Sequence, residues 1–328
     1  MKFITRLTIQ IFTFFLVSGI SISPQILSAQ PTQCCQFLCE NGLNSLLVCG
    51  DYDQAPGPFY VKVYLRFIDP QVSGAFDDPF SVRAEDIWQI LNTAFSPHNI
   101  FFVPGFGSCG GQQNYSIINS SISPENNSGF TALREGSSNG VPNFHSDGIN
   151  LYVFRDDIDL NTPGNAFCVP NSYCFLGGTS PCCPDLPVSK SAILPHEIAH
   201  CLGLLHTDEF NLGDVCEDID GTNCKEKGDL VCGTPPDSGV YGSPTSCSPI
   251  PLFNNFMSLF PIITCKDHFV GGPGGQGERM RHYLKNGIGT VAQVRIQDII
   301  ISGNTTWNVP KTVSANVIIE PGGILKQL

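Results

Sequence analysis

Four residues suited to metal chemistry stand close together near the middle of the chain. Residues 196–206 have the sequence HEIAHCLGLLH. His196 and His200 are four positions apart, so on an α-helix they lie on one face and can reach the same metal ion. Glu197 follows the first histidine and can direct its carboxylate at a water molecule on that ion. The segment therefore predicts a metal-binding helix that also carries a general base.

The third histidine requires a turn in the chain. His206 comes six residues after His200, and on a continuing helix it would point roughly 240° around the axis. Gly203 is placed to end the helix, because glycine reaches positive φ with little strain. We expect a helical pair, a glycine turn and a returning third ligand, which leaves the fourth tetrahedral position open, as catalytic zinc requires. A helix face with chance histidines is the alternative for HExxH alone, but the whole pattern should arise by chance in about one chain in 10⁵.

Elements of an α/β fold surround this motif. Pro195 has no N–H and cannot lie deep inside a helix, so the metal-binding helix should begin only a few residues before His196. Alternating apolar residues predict a strand over 59–67, and a nearly continuous apolar run predicts a well-covered strand over 149–154. The other expectations are a helix capped by Ser81 and reaching Phe95, a strand at 100–103, long loops over 104–148, a loop-dominated segment at 207–265 and a last helix at 278–285. This order predicts an α/β (α+β) domain with a mixed sheet.

The chain begins with the features of a secretory signal peptide. Lys2 and Arg6 precede an apolar run over residues 9–20, and a stretch with small residues ends at Ala29. The run is too short for a membrane span, which needs about 20 apolar residues. We therefore predict a signal peptide over 1–29 and a secreted, extracellular protein. The remaining parts are a cysteine-rich pro-segment or N-terminal flap at 30–57, the domain with the histidine motif at 58–290 and a β-rich C-terminal tail at 291–328.

The charge balance of the chain is acidic. Lys and Arg number 17 against 29 Asp and Glu, for a net charge of −12, and removal of Lys2 and Arg6 with the signal peptide makes it −14. Nucleic acid is therefore not an expected partner. The acidity instead suits solubility and cation sites. About 300 mature residues are enough for one large core and a small second module.

The 15 cysteines all lie after the signal peptide. In an exported protein this number indicates a disulfide framework, and an odd count leaves one thiol over. Cys201, inside the metal-binding helix, is our candidate for that free thiol. A structural cysteine cluster on zinc is the alternative, but neither the Cys34, Cys35 pair nor the Cys182, Cys183 pair has clear CxxC spacing.

Cys49 admits two interpretations. It lies ahead of the main domain, so its thiolate could occupy the open metal position and hold the protein latent. A disulfide-bonded Cys49 is the more common state in an exported protein.

The other four histidines have no partner at ligand spacing. We interpret them as ordinary surface or loop residues: His98, His145, His268 and His282.

The histidine motif and a downstream methionine turn resemble the metzincin zinc peptidases, and within them the pappalysin family of ulilysin- and cytophagalysin-like proteins. HExxHxxGxxH is followed by NNFMSLF at 254–260, which looks like the methionine turn, with Met257 beneath the metal. GDLVCGTPP at 228–236 and QGERMR at 276–281 resemble two further segments of the family. The likeness covers roughly residues 59–287.

This resemblance implies a metzincin-type zincin with a mixed twisted sheet, an active-site helix and an irregular C-terminal subdomain after Gly203, here followed by a short β-rich tail. It implies a secreted zinc metalloendopeptidase that acts on proteins or peptides, with its metallopeptidase domain at 58–290. Zn²⁺ would be bound by His196, His200 and His206, with Glu197 as general base toward the zinc-bound water and Met257 as a structural residue.

The resemblance also implies a calcium site in the 228–236 segment. The candidate ligands are Asp229, the Val231 carbonyl and Thr234, and hard oxygen atoms of this kind suit Ca²⁺. The family often has a second aspartate where this chain has Gly233. A simple surface turn is the alternative, since Asp, Gly and Pro are turn residues.

Cysteines around the methionine turn match the family in outline. The resemblance implies that two disulfides hold the irregular part, drawn from Cys216, Cys224, Cys232, Cys247 and Cys265. Cys224 with Cys247 is the favoured single pair, although spacing does not settle it.

Two departures from the family bear on activity. Leu259 stands where many relatives carry a tyrosine two residues after the turn methionine, and loss of such a hydrogen-bond donor can lower the rate about 10²-fold or more. Residues 260–264 (FPIIT) are mostly apolar where relatives that cleave before arginine have an acidic residue, so we expect an apolar side chain after the scissile bond.

A second function therefore stays open. The chain could be a catalytically weak or inactive binding or adhesion protein on a metzincin scaffold, with Leu259 marking the lost catalysis. The tail at 291–328 would then be a cap, a small docking piece or the start of a longer stacked-strand module. The intact Glu197 favours the enzyme, because a binding scaffold needs no base beside the metal.

Overall fold

The structure of the 328-residue chain is a computed structural model. The signal peptide, the pro-segment or flap as far as residue 56, Cys49, Leu259 and residues 260–264 lie outside the residues it describes. The described residues are 57–69, 79–106, 114–138, 140–156, 164–166, 169–180, 183–207, 222–224, 228–237, 254–258, 266–286, 295–296, 299–301, 304–307, 317–319 and 324–327.

Four helices and fifteen strands make up the described secondary structure. The helices are α1 (Phe80–Phe95), α2 (Asn127–Glu135), α3 (Ile193–Cys201) and α4 (Gln276–Asn286), with 3₁₀ turns at Ser96–His98 and Val188–Lys190. The strands are β1 (Phe59–Asp69), β2 (Ile100–Pro104), β3 (Ser116–Asn119), β4 (Ser137–Ser138), β5 (Val141–Pro142), β6 (Ile149–Val153), β7 (Gly164–Asn165), β8 (Tyr173–Leu176), β9 (Thr179–Ser180), β10 (Cys183–Pro187), β11 (Arg295–Ile296), β12 (Ile299–Ile301), β13 (Asn304–Trp307), β14 (Val317–Ile319) and β15 (Ile324–Gln327).

A seven-stranded mixed sheet forms the centre of the fold, in the order β11-β1-β6-β8-β7, with β2 and β3 also paired to β1. The pairs of β1 with β2, β3 and β6 are parallel, as is β6 with β8. The pairs β7 with β8 and β11 with β1 are antiparallel. The expected α/β class with a mixed sheet is thus confirmed.

The central sheet is covered on both faces. On one face the alternate residues of β1, Val61 to Phe67, pack with α1 and α3 in the larger core. On the other face a smaller, mostly aromatic cluster includes Tyr152, Phe154 and Phe175 and is covered by Phe130 and Leu133 of α2. All five residues of β6 are buried, as its continuous apolar sequence predicted.

Two expectations about helices are wrong. Ser81 does not cap α1, which begins one residue earlier at Phe80 and has Pro79 at its N-cap with no side-chain hydrogen bond. The 104–148 segment contains α2 as well as short strands. This helix is capped by Asn126, whose side chain accepts a hydrogen bond of 3.1 Å from the Gly129 N–H. Its apolar pattern is weak because it buries only Phe130 and Leu133, so the sequence looked like a loop.

The predicted last helix is present, and it packs against His98, which we expected at the surface. α4 ends at Asn286, one residue beyond the predicted end. Its Arg281 donates a hydrogen bond of 2.9 Å to the His98 carbonyl, and Gly277 lies against the His98 ring. The surface interpretation of His98 is wrong, since its side chain is buried and burial lowers its pKa to about 4.

The described cysteines pair differently from the family-based expectation. Cys224 is bonded to Cys232 and not to Cys247, with 5.0 Å between the two Cα atoms. Gly228 and Leu230, which lie between the two cysteines, both adopt positive φ, 65° and 59°. Cys201 is free and buried, as predicted, and Cys174 is a second buried free thiol.

The C-terminal residues form short strand pairs. Strand β11 adds to the central sheet beside β1. Beyond it, β12 pairs in parallel with β14, and β13 pairs in parallel with β15. In the described part of the chain, no helix is both long and apolar enough to cross a bilayer.

Candidate metal centre

The three motif histidines meet at one point. The Nε2 atoms of His196 and His200 are 3.1 Å apart, those of His200 and His206 are 3.0 Å apart, and those of His206 and His196 are 3.2 Å apart. They form the group of possible metal ligands found among the described residues. The predicted return of His206 to the helical pair is confirmed.

The turn at Gly203 produces this convergence. Helix α3 begins at Ile193, three residues before His196, as Pro195 led us to expect. At its end the Leu204 N–H donates to the Ala199 carbonyl at 3.0 Å and the Gly203 N–H donates to the His200 carbonyl at 3.0 Å. These two bonds define a Schellman motif, which needs a residue with positive φ at the position of Gly203. The φ of Gly203 is +90°.

Hydrogen bonds fix the tautomers of two ligands. His196 Nδ1 lies 2.6 Å from the Phe256 carbonyl oxygen and His200 Nδ1 lies 2.7 Å from the Leu204 carbonyl oxygen. A carbonyl oxygen can only accept, so both Nδ1 atoms carry the proton and both Nε2 atoms present lone pairs. Such outer hydrogen bonds orient metal-binding imidazoles in many proteins.

The donor set fits a transition-metal ion. Three imidazole lone pairs aimed at one point repel one another unless they share a cation. Zinc–nitrogen bonds of about 2.0–2.1 Å in a tetrahedron place the nitrogen atoms about 3.3–3.4 Å apart, close to the separations found here. Burial, chiefly, lowers the pKa of His196 well below its ordinary value. The ring is therefore neutral, as a metal ligand must be.

Glu197 is buried beside the end strand of the sheet. Its carboxylate accepts a hydrogen bond from the Ala166 backbone, and burial raises its pKa to about 8. Gly164 of β7 lies against it: a Cβ at Gly164 would come within 2.8 Å of Glu197 Oε1. A side chain on β7 would thus displace the carboxylate, so the strand both packs on Glu197 and holds it in place.

The methionine turn makes hydrogen bonds with His196 and with Thr207, the residue after His206. The Met257 carbonyl accepts a hydrogen bond of 3.0 Å from the N–H of Thr207, the residue after His206. Phe256, one residue earlier, supplies the carbonyl that orients His196. The turn itself is held by Asn255 Oδ1, which accepts from the Met257 N–H at 2.8 Å. Met257 is fully buried in the main core, as a structural residue should be.

Sequence reasoning missed Arg279 of α4. This side chain is 1 % exposed. It donates from Nε to the Gly203 carbonyl and from Nη1 to the Leu230 carbonyl, both at 2.9 Å. Arg279 therefore connects the turn that returns His206 with the segment proposed to bind calcium. QGERMR resembles the family's final helix, but no pattern in it indicates these contacts of Arg279.

Replacement of Arg279 by methionine should lower the free energy of unfolding by about 3 kcal/mol, because two buried carbonyls lose a charged donor. Urea denaturation would measure the loss. Arg281→Met is the matched control, since Arg281 is on the same helix, is partly exposed and donates to the His98 carbonyl. Its cost should be about 1 kcal/mol. Equal losses in the two variants would contradict this role for Arg279.

The candidate calcium residues are buried, unlike a simple surface turn. Asp229 is 1 % exposed and Thr234 is 3 % exposed. Asp229 Oδ1 accepts from the Val231 N–H at 2.9 Å. Within the described residues, Asp229 Oδ2 and Thr234 Oγ1 are buried without a well-formed hydrogen bond. Burial, chiefly, raises the pKa of Asp229 to about 7.

A second carboxylate approaches this segment from a position that the sequence did not indicate. Asp237 is buried, accepts a hydrogen bond of 2.6 Å from Thr207 Oγ1, and its charge adds to the upward shift in the pKa of Asp229. Gly233 has no room for a side chain, because a Cβ there would lie 2.8 Å from the backbone of Gly274. Asp237 is thus an acidic neighbour of Asp229.

Comparison with known proteins gives similarity to solved structures alone. No protein-family model matches the chain, and no curated protein matches its sequence. A structure of mirolysin in complex with a compound is 18% identical, with 72% of this chain and 96% of that chain covered and a TM-score of 0.46. Mature mirolysin of Tannerella forsythia in complex with a cleaved peptide is 17% identical, with coverages of 72% and 94% and a TM-score of 0.47. A promirolysin mutant of the same organism is 17% identical, with coverages of 76% and 87% and a TM-score of 0.48.

Proposed function

We propose that this protein is a secreted, zinc-dependent endopeptidase of the metzincin type. The observation that carries the proposal is the convergence of three imidazole Nε2 atoms beside a buried carboxylate, Glu197. Three nitrogen ligands with one open position are the set found in catalytic zinc sites, whereas structural zinc sites use four protein ligands. The signal-like residues 1–29 support export.

Each residue of the site has a separate task. His196, His200 and His206 would hold zinc, which when bound supplies a Lewis acid that polarises a carbonyl and acidifies water. Glu197 takes a proton from the attacking water and passes it to the leaving amine nitrogen.

The position of β7 favours an extended peptide substrate. This strand ends the sheet order and lies against Glu197 through Gly164. A peptide in extended conformation alongside a sheet is held through its backbone, which allows many sequences to bind. Such binding would place a backbone carbonyl near the metal and the general base.

The proposal can be tested on protein recovered from the medium of expressing cells. The protein should cleave casein and a peptide library, a zinc chelator should stop cleavage, and added zinc should restore it. Mapped cut sites should have apolar residues after the scissile bond, as the apolar residues 260–264 predict. Absence of cleavage by protein that contains zinc would contradict the proposal and favour the binding or adhesion alternative, in which Leu259 marks the lost catalysis.

We further propose that Asp229, the Val231 carbonyl and Thr234 bind calcium, together with Asp237. The support is the pair of buried oxygen atoms without well-formed hydrogen bonds and the nearness of two carboxylates. Two buried carboxylates repel each other, and a hard divalent cation removes that repulsion. Through Thr207, which donates to Asp237 and follows His206, the calcium segment also supports the metal centre.

Calcium at about ten times its dissociation constant should raise the melting temperature by roughly 3–6 °C. Differential scanning fluorimetry with calcium and with a calcium-selective chelator would measure the shift. Asp229→Asn should remove the response. Asp147→Asn is the control, because Asp147 lies at the surface in an ion pair with Lys62, and it should keep the response. A full calcium response in the Asp229 variant would refute this assignment.

A further inference from the structure

Two buried cysteines meet behind the metal-binding helix. Cys174 lies in β8 and Cys201 is the last residue of α3. Both side chains are fully buried in the main core, and both are thiols in the structure. The Cys174 thiol donates a hydrogen bond to the Cys201 sulfur. Neither residue has a part in the proposed hydrolysis.

Their surroundings disfavour the usual reactive roles of cysteine. The thiolate is the form that attacks electrophiles and binds metals. Burial raises the pKa of Cys174 well above its ordinary value, and the neighbouring Cys201 and Glu197 act in the same direction. In the folded core the Cys174 thiol is therefore held in its protonated form, which neither attacks electrophiles nor binds metals. Two thiols in hydrogen-bond contact can be joined to each other by an oxidant.

We propose that Cys174 and Cys201 are joined by a disulfide as the exported chain folds. The reaction needs an oxidant, which is a disulfide-bearing molecule such as oxidised glutathione or a thiol–disulfide oxidoreductase. One cysteine thiolate attacks that disulfide, forms a mixed disulfide and releases one thiol. The second cysteine then displaces the other thiol. The two cysteines lose two protons and two electrons, and the oxidant is reduced to two thiols.

The proposed bond would join the metal-binding helix to the sheet close to the metal ligands and the general base. Cys201 follows the ligand His200, and β8 carries the paired strand β7 that packs against Glu197. The disulfide would keep the helix with its ligands and the strand beside the general base at a fixed separation. It would also restrict the unfolded chain over the segment from residue 174 to residue 201. The inference rests on the export part of the proposed function and is independent of peptidase activity.

Peptide mapping tests the bond directly. Secreted protein, and purified reduced protein refolded with oxidised glutathione, would be denatured, alkylated without reduction, digested and analysed by mass spectrometry. We expect one cross-linked peptide pair that contains Cys174 and Cys201. The Cys224–Cys232 disulfide is the internal control for successful oxidation. Separate alkylation of Cys174 and Cys201 in protein that has the control bond, or a bond of either to another cysteine, would overturn the proposal. The refolded sample separates failure of the pair from failure of export.

Thermal melting gives a second measurement. A reductant should lower the melting temperature of the wild-type protein by about 5–12 °C. The drop should be smaller in the Cys174→Ala/Cys201→Ala variant than in the Cys224→Ala/Cys232→Ala variant, because the bond between residues 174 and 201 closes the longer loop. An equal drop in the Cys174→Ala/Cys201→Ala variant and the wild type would also overturn the proposal. If a double variant fails to fold, the peptide map of the wild-type protein still decides.

Discussion

Replacement of Glu197 by glutamine should abolish peptide hydrolysis while the protein still binds zinc. Glutamine has the same shape, so the helix and its histidines keep their places. It cannot accept a proton from water or deliver one to the leaving amine. General acid–base catalysis contributes about 10²–10⁴-fold to a rate, and here one residue serves both transfers, so we expect a loss of roughly 10³-fold or more in kcat/KM.

Three readouts on the same preparation make this result specific. Zinc content and melting temperature should match those of the wild type, since Glu197 is not one of the three histidine ligands. Glu125→Gln is a control for the chemical change itself, because Glu125 is exposed and belongs to a different part of the fold. Hydrolysis by the Glu197 variant within tenfold of wild type would mean that another group is the base.

Replacement of Gly203 by alanine should both destabilise the fold and weaken zinc binding. The backbone at Gly203 has a φ of +90°, which costs an L-residue about 1–2 kcal/mol. The added Cβ would also lie 2.7 Å from the Tyr283 ring, and overpacking of this kind costs about 1–3 kcal/mol more. Relief of either strain moves the turn that returns His206. We expect the free energy of unfolding to fall by about 2–5 kcal/mol, measured by urea denaturation.

Gly272 offers a matched control for this substitution. Its φ is +86°, and nothing lies within 4 Å of a Cβ placed there. Gly272→Ala should therefore show the backbone cost alone, about 1–2 kcal/mol, with unchanged zinc affinity. If the Gly203 and Gly272 variants bound zinc equally well, the glycine turn would not be what positions the third histidine.

The metal centre was largely predictable because its determinants are local. The spacing of His196 and His200 is a property of any helix, and the need for a reversal before His206 follows from the same geometry. Gly203 marks the reversal, since few other residues adopt its backbone conformation. The core strands β1 and β6 were also predictable from neighbouring residues. A strand buried on one face has alternating apolar residues, and a strand buried on both faces has a continuous apolar run.

The parts that sequence reasoning missed depend on residues far apart in the chain. Arg279 reaches the Gly203 carbonyl across 76 positions, and Asp237 meets Thr207 across 30. No local pattern encodes such contacts. The segment between Cys224 and Cys232 includes Gly228 and Leu230, which both adopt positive φ, and a leucine gives no sequence signal for that conformation. Helix α2 was not predicted because it buries only two side chains, too few for a clear apolar pattern, and it begins at an asparagine cap.

The most direct test of the central claim is X-ray absorption spectroscopy at the zinc edge of the purified, mature protein. The account predicts one zinc ion with three nitrogen ligands at about 2.0–2.1 Å and an oxygen ligand in the remaining position. The nitrogen shell should shrink to two in a His206→Ala variant that retains metal. A zinc shell dominated by sulfur, or a His206→Ala spectrum identical to that of the wild type, would contradict the account.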